Sequence, residues 1–274
     1  MSIERKPIVI LGPTASGKSD SAMSAAMSNG NTEIVVCDAM QVYKRMDIGT
    51  AKPTLEDQQK VQHHCIDLVE PSARFTVSDY QIAARAAVAD IHSRDKNALV
   101  VAGTGLYLTS LIDDLSFPGE WPEIRRELQE EPDVNTLYRR LKALDPVAAA
   151  NIERSNRRRI ERALEVCMGS GKPFSDNAPG TGAYPDNGVV QIGLLWPREV
   201  LVKRVAERVN AMLKWGFLDE VRDLRKSGNM SITAKQALGY AELLRHLEGK
   251  CTLEQAVGDI VIHTRQFAVR QERW

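Results

Sequence analysis

The chain has 274 residues, with 36 basic and 36 acidic side chains, 43% hydrophobic and 26% charged residues. This composition belongs to a folded globular protein and excludes extensive disorder, fibrous repeats and a bulk polycation that coats nucleic acid. No apolar run approaches the ~18 residues of a membrane span, and the N-terminus lacks the apolar core of a secretory signal, so a cytoplasmic protein is expected.

In chain order, the apolar stretch 6–11 reads as a buried strand ending at Gly12. A helix is expected over 17–28, a second strand over 33–37 ending at Asp38, and a helix over 78–93. A third strand over 98–102 ends at Gly103, and a short helix follows over 106–112. Continuous β-branched runs alternating with helices specify a parallel sheet covered on both faces. The stretch 117–153 breaks that rhythm with helical patterns at 122–131, 135–144 and 147–152 and no strand, and reads as an all-helical insertion. A helix over 156–168 is expected to be capped by Asn156 and stopped by Gly169, and 172–188 reads as a loop. A fourth strand is expected over 189–195, then helices over 197–214, 217–226 and 253–271. The expected organisation is therefore an α/β core, 1–116 and 154–274, with a helical insertion at 117–153. The four cysteines, Cys37, Cys65, Cys167 and Cys251, form no CxxC pair and read as free thiols.

Gly12-Pro13-Thr14-Ala15-Ser16-Gly17-Lys18-Ser19 matches G-x-x-x-x-G-K-[ST] and lies between a strand and a helix, the context that gives the motif its meaning. The glycines let the backbone curl around a phosphate, and the loop amides and helix end attract its charge. Lys18 adds a point charge, and the Ser19 hydroxyl is placed to ligate Mg²⁺. A di- or triphosphate ligand follows, without specifying the reaction. Asp38, at the end of the second strand, has three roles open to it from spacing alone: metal carboxylate, general base, or cap of the next segment.

The residues from Asp38 to Pro53, D-A-M-Q-V-Y-K-R-M-D-I-G-T-A-K-P, resemble a diagnostic block of the tRNA dimethylallyltransferases. The resemblance continues in His63-His64-Cys65-Ile66-Asp67, Gly103-Thr104-Gly105-Leu106-Tyr107, Arg158 to Val166, Gln236 to Tyr240 and Thr264 to Gln271. It thus runs from residue 6 to the end of the chain. Ala102 and Val269 depart from it, standing where the family has Gly and Lys.

The resemblance implies a phosphate-loop NTPase-like fold and transfer of a dimethylallyl group from dimethylallyl pyrophosphate to N6 of adenosine 37, beside the tRNA anticodon. The phosphate loop then holds the leaving pyrophosphate, with Lys18, Thr14 and Thr104 at the departing oxygens, and Asp38 takes the proton from the amine. Ala39, Met40 and Gln41 become candidates for reading the flipped base, with Asp38 and Thr104 beside them. Arg125 aligns with a family tRNA contact. Arg158, Arg159 and Arg162 belong to the stretch 154–172, which holds six basic and two acidic side chains, a local +4. These three, with Arg265 and Gln266, are the remaining candidate RNA contacts. Arg204 and Arg208, spaced i and i+4, read mainly as solvated, the alternative being that one of them reaches the pyrophosphate, and Tyr43 and Tyr107 as either core or stacking residues. His63 and His64 point in divergent directions, and with Cys65 form no convincing zinc set. A monomer is expected. The competing readings are an adenylate isopentenyltransferase acting on free AMP or ATP, a phosphate-loop small-molecule kinase, and a non-catalytic RNA-binding module.

Overall fold

A computed structural model describes residues 5–113, 115, 117–177, 186–228 and 230–272. The chain forms two compact units, Met1–Ile112 with Asp186–Trp274, and Asp113–Pro185. The first half of unit one runs β1 (Ile8–Leu11), α1 (Lys18–Asn29), β2 (Thr32–Cys37), α2 (Leu55–Lys60), β3 (His63–His64), α3 (Val77–Ser93), β4 (Asn97–Ala102) and α4 (Gly105–Ile112). Unit two holds α5 (Pro122–Glu130), α6 (Val134–Leu144), α7 (Pro146–Asn151) and α8 (Arg157–Ser170). The chain then returns to unit one through β5 (Val190–Gly193), α9 (Arg198–Lys214), α10 (Phe217–Lys226), α11 (Ile232–Lys235), α12 (Tyr240–Leu247) and α13 (Leu253–Gln271).

The five strands form one parallel sheet in the order β3-β2-β4-β1-β5. Strand side chains alternate between faces. Val9, Val35, Cys37, Val100 and Ala102 therefore pack with Tyr80 and Ala84 of α3 and Leu108 of α4. Ile10, Ile34, Val36, Leu99 and Val101 pack on the other face with Ala22 and Ala26 of α1. β5 is an edge strand whose residues are exposed. β3 was not expected. It is a two-residue element in which His63 Nδ1 pairs with Val61 O at 2.8 Å and His64 Nε2 with Glu33 Oε2 at 2.7 Å. The two histidines thus serve separate polar contacts. Among the described residues no helix is long and apolar enough to cross a membrane.

Unit two is built on Leu128, Leu137, Leu141, Ile160, Ala163 and Leu164. The boundary expected at 153/154 falls inside it, because the apolar face of α8 packs on α5 and α6. Gly169 does not stop α8. A Cβ there would stand 2.1 Å from Trp121 Cδ2, so this glycine admits the indole, and the helix ends at Gly171 in the left-handed conformation. The loop expected over 172–188 begins with a single turn at Phe174–Asn177, and its 178–185 stretch lies outside the described residues.

The third cluster of unit one joins the C-terminal helices to the segment after β2. Val42, Tyr43 and Met46 pack against Val209, Phe217, Val221, Tyr240 and Ile260. Polar contacts fix the same segment. Lys52 Nζ donates to Tyr43 O at 2.8 Å and to Asp47 Oδ1 and Asp67 Oδ1 at 2.6 Å each. Glu220 of α10 accepts the N–H groups of Asp47, Ile48 and Gly49 at 2.9, 2.7 and 3.1 Å, and the Tyr240 hydroxyl at 2.5 Å. Gly49 is required there, since a Cβ would meet the Phe217 ring at 2.2 Å. One carboxylate thus satisfies three loop amides and a buried phenol. Glu220→Ala should destabilise the fold by about 2–4 kcal/mol, lowering the urea midpoint with little change in slope. Glu220→Gln, which keeps an acceptor oxygen, should cost less.

Candidate active site

Strand register builds the site. Leu11 and Cys37 both pair with Ala102 of β4, so Gly12, Asp38 and Gly103 emerge side by side at the carboxyl edge of the sheet. That edge, where strand order departs from chain order, is where α/β sheets bind ligands.

The loop after β1 curls through left-handed backbone at Ala15 (φ 62°) and Gly17 (φ 90°) before α1 begins at Lys18. At Gly12 (φ 150°) a Cβ would stand 2.6 Å from Leu194 O. Two side chains outside the motif brace the loop. Trp196 Nε1 donates to Ser16 O at 2.8 Å, and Arg204 Nε donates to Ala15 O at 2.7 Å. The Arg204 guanidinium also sits 4.9 Å from the Trp196 ring centre. Arg204 is therefore a structural partner of the loop, correcting its reading as solvated.

Lys18 Nζ donates to Gly12 O at 2.8 Å and Pro13 O at 2.7 Å. Burial, with the nearby Arg208 charge adding to it and Asp38 opposing, lowers its pKa to about 8. Arg208 lines the same cleft. Burial lowers its guanidinium from the ordinary value, opposed by Asp38 and Asp20. Thr14, Ser19, Asp38, Gln41 and Gly103 also line it, with Thr50, His63 and Gln271. The cleft thus sets two cations against one carboxylate.

Asp38 caps the turn that follows it. Its Oδ1 accepts the N–H of Met40 at 2.8 Å and of Gln41 at 3.3 Å. This occupies one oxygen and leaves Oδ2 toward Gly103, where a Cβ would stand 2.8 Å from it. Glycine at 103 is thus a condition for that carboxylate position. The Thr104 hydroxyl accepts the Ala39 N–H at 3.2 Å, and the amides of Gly103 and Thr104 both donate to Cys37 O. Gln41 is buried, and its amide nitrogen donates to Thr50 O at 3.1 Å. It lies in a turn, and its packing depends on the segment that Glu220 and Lys52 hold.

Tyr43 and Tyr107 belong to the core. Tyr107 stacks on Tyr80 with ring centres 4.4 Å apart. Ser19 and Asp38 offer hard oxygen donors in one cleft, the donor chemistry that suits a Mg²⁺ retaining most of its water.

The arginines of unit two divide into two kinds. Glu165 is fully buried and is gripped by Arg125, whose Nη2 lies 2.8 Å from Oε2 and 3.0 Å from Oε1. Arg162 also reaches Glu165 at 3.0 Å and donates to Pro118 O and Gly119 O. Burial of Glu165 is more than offset by these donors and by the Trp121 N–H, so its carboxyl is held below the usual range. Arg158 and Arg159 are exposed at the first turn of α8 and form no ion pair among the described residues. Arg265 and Gln266 lie on the solvent side of α13, along a groove shared with Arg198 and Arg270, and do not line the cleft.

The strand order, with β1 leading through the phosphate loop into α1, defines a phosphate-loop protein of NTPase-like fold. The family model described as IPP transferase matches residues 41–274. The chain is 44% identical to the tRNA dimethylallyltransferase of Thermobifida fusca (strain YX), over 97% of this chain and 86% of that protein. It superposes on the full-length tRNA isopentenylpyrophosphate transferase of Bacillus halodurans with a TM-score of 0.71 and 36% identity, covering 99% of this chain and 86% of that one. A eukaryotic dimethylallyltransferase, described as acting on tRNA, gives a TM-score of 0.86 at 29% identity, covering 99% of this chain and 70% of that one. The chain belongs to the IPP transferase family, that of the tRNA dimethylallyltransferases.

Gln271 and Arg208 enter the site without having been singled out as site residues. Gln271 stood inside the matched C-terminal block, whereas Arg208 carried no signal beyond helical spacing.

An anion must be met by a protonated Lys18. In the free protein that fraction falls as pH rises through about 8. Pyrophosphate affinity should therefore weaken by up to about tenfold one pH unit above that value. Calorimetry in buffers of different ionisation enthalpy should show proton uptake on binding there, and Lys18→Met should remove it.

Proposed function

We propose that the chain transfers a dimethylallyl group from dimethylallyl pyrophosphate to N6 of adenosine 37 of tRNA, releasing pyrophosphate. The observation that carries this reading is the juxtaposition of a phosphate loop with an ionisable carboxylate, Asp38, in one cleft. The loop at one end suits a pyrophosphate leaving group, and the carboxylate faces where an acceptor amine would enter.

The adenine amine is a weak nucleophile because its lone pair is conjugated with the ring. As its nitrogen bonds to the allylic carbon, the carbon–oxygen bond breaks and that electron pair leaves on the pyrophosphate oxygen. Lys18, Arg208 and the loop amides stabilise the charge that develops there. Mg²⁺, held through Ser19, would supply further neutralisation of the pyrophosphate. The N6 proton passes to Asp38, the general base of the step. Thr104, whose hydroxyl accepts the Ala39 N–H, would suit the bridging oxygen. The base reaches this cleft by leaving the anticodon-loop stack, at a cost of a few kcal/mol. Gln41 lines this cleft, and with the neighbouring Ala39 and Met40 it is the candidate for reading the base.

For the RNA, the exposed Arg158 and Arg159 are assigned to phosphate contacts. Arg125 and Arg162 act chiefly by holding the Glu165 network that shapes unit two. Arg265 and Gln266 remain a peripheral RNA-binding candidate on α13. The protein works as a monomer in the cytoplasm.

The deciding assay supplies labelled dimethylallyl pyrophosphate together with unmodified tRNA, AMP and ATP. Label on tRNA alone supports the assignment, label on AMP or ATP defeats it in favour of a free-nucleotide prenyltransferase, and phosphate transfer from ATP defeats both. Asp38→Asn keeps the acceptor for the Met40 and Gln41 amides but removes the base. It should lower turnover about 10²–10⁴-fold while pyrophosphate still binds. Replacing Arg158 and Arg159 together by alanine should weaken tRNA binding, leave donor binding unchanged, and reduce the salt slope by about 0.7 per arginine.

A further inference from the structure

The last residue of α13 reaches back to the first loop of the chain. Gln271 is almost fully buried, at 3% exposure. Its Oε1 accepts the backbone N–H of Thr14 at 2.6 Å, and its Nε2 donates to Gly103 O at 2.6 Å. The orientation of the amide is fixed by its partners, since a backbone N–H can only donate and a carbonyl can only accept. The first contact lies in the loop that receives pyrophosphate. The second lies in the turn that carries Thr104 and leaves room for the Asp38 carboxylate. One side chain therefore spans the two halves of the reaction centre, leaving group on one side and base on the other.

The neighbouring hydrogen bonds do not duplicate this link. The Gly103 and Thr104 amides tie their turn to Cys37 O, which fixes it to β2. Trp196 and Arg204 tie the phosphate loop at Ser16 and Ala15 to β5's flank and α9. Among the described residues, no other side chain is seen to hydrogen-bond to both the Thr14 and the Gly103 backbones.

We propose that Gln271 is a positioning residue that sets the separation of the phosphate loop from the Asp38–Thr104 turn. Prenyl transfer then depends on it without its touching the substrate. The inference rests on the prenyl-transfer reading above. Displacement of reacting groups by about 1 Å costs on the order of 10²-fold in rate. The loss should fall on kcat, because the Thr14 amide released from Gln271 becomes available to the pyrophosphate and ground-state binding of the donor is spared.

Two variants of the full chain test this. Gln271→Met keeps the length of the side chain and removes both hydrogen bonds. Its kcat should fall about tenfold or more, with KM for dimethylallyl pyrophosphate within about threefold of wild type. Gln271→Glu loses the donor to Gly103 O when ionised, but when protonated it presents one acceptor and one donor, as the amide does. Lys18, Asp38, Arg208 and His63 line the same cleft, and Arg270 and Glu272 adjoin it in the chain. Their titration is shared with wild type, so the readout is the ratio of variant to wild-type kcat. That ratio should climb as pH is lowered from about 7 toward about 5, where a carboxyl begins to regain its proton. A kcat of Gln271→Met within twofold of wild type, or a Gln271→Glu ratio that stays flat across the range, overturns the proposal. If instead wild type transfers no prenyl group to tRNA, it is the functional reading that fails.

Discussion

The in-register parallel pairing of β1, β4 and β2 is the constraint on which the rest depends. Because Leu11, Ala102 and Cys37 lie abreast, the three segments that follow them begin within one narrow strip. The phosphate loop, the Asp38 turn and the Gly103–Thr104 turn need no long reach to meet. A one-residue slip of either pairing would invert the faces of a strand buried on both sides and displace a carboxylate or an amide by about 3.3 Å. The apolar cost of such a slip protects the chemistry. Val9, Val35 and Val100 on one face and Ile34, Val36 and Leu99 on the other cannot exchange sides without disrupting both layers.

Upon that frame the protein settles a conflict between charge and burial. Lys18 and Arg208 are pressed together in a cleft with Asp38 as the nearby carboxylate, and both are pushed toward the neutral form. Such a site is short of negative charge, and an anionic ligand relieves it. In unit two the opposite solution appears: Arg125 and Arg162 converge on the buried Glu165, and their charge is spent internally. An equal tally of acids and bases over the chain thus conceals one cleft open to an anion and one buried carboxylate already paired by its arginines.

Much of this was legible in the residues. The strand runs stop where β-branched residues give way to Gly12, Asp38 and Gly103, and α10 and α13 follow their apolar spacing to the residue. The phosphate loop was readable because its chemistry demands glycines and a lysine at fixed offsets. Strand order was harder, since nothing local says that β4 inserts between β1 and β2. The two-residue β3 is shorter than any period can register. Gly169 was misread because a glycine near a helix end has two meanings, terminator or slot for a neighbour, and only Trp121 decides between them. The arginines carried the least information. Arg125, Arg158, Arg162, Arg204 and Arg208 look alike in a charged helix, and what each does depends on whether a Glu165, a Trp196 or open solvent stands opposite.

The bond between Thr14 and Gln271 also has a meaning in time. Its partners are separated by 257 residues, nearly the whole chain. At synthesis rates of about 5–20 residues per second, the phosphate loop waits about 13–50 s for the residue that ties it. During that interval the strands can pair and the helices of unit two can close on their own leucines. The reaction centre stays incomplete until α13 docks. A nascent chain of this design can acquire its fold early and its site geometry late, so catalytic competence waits on the docking of α13.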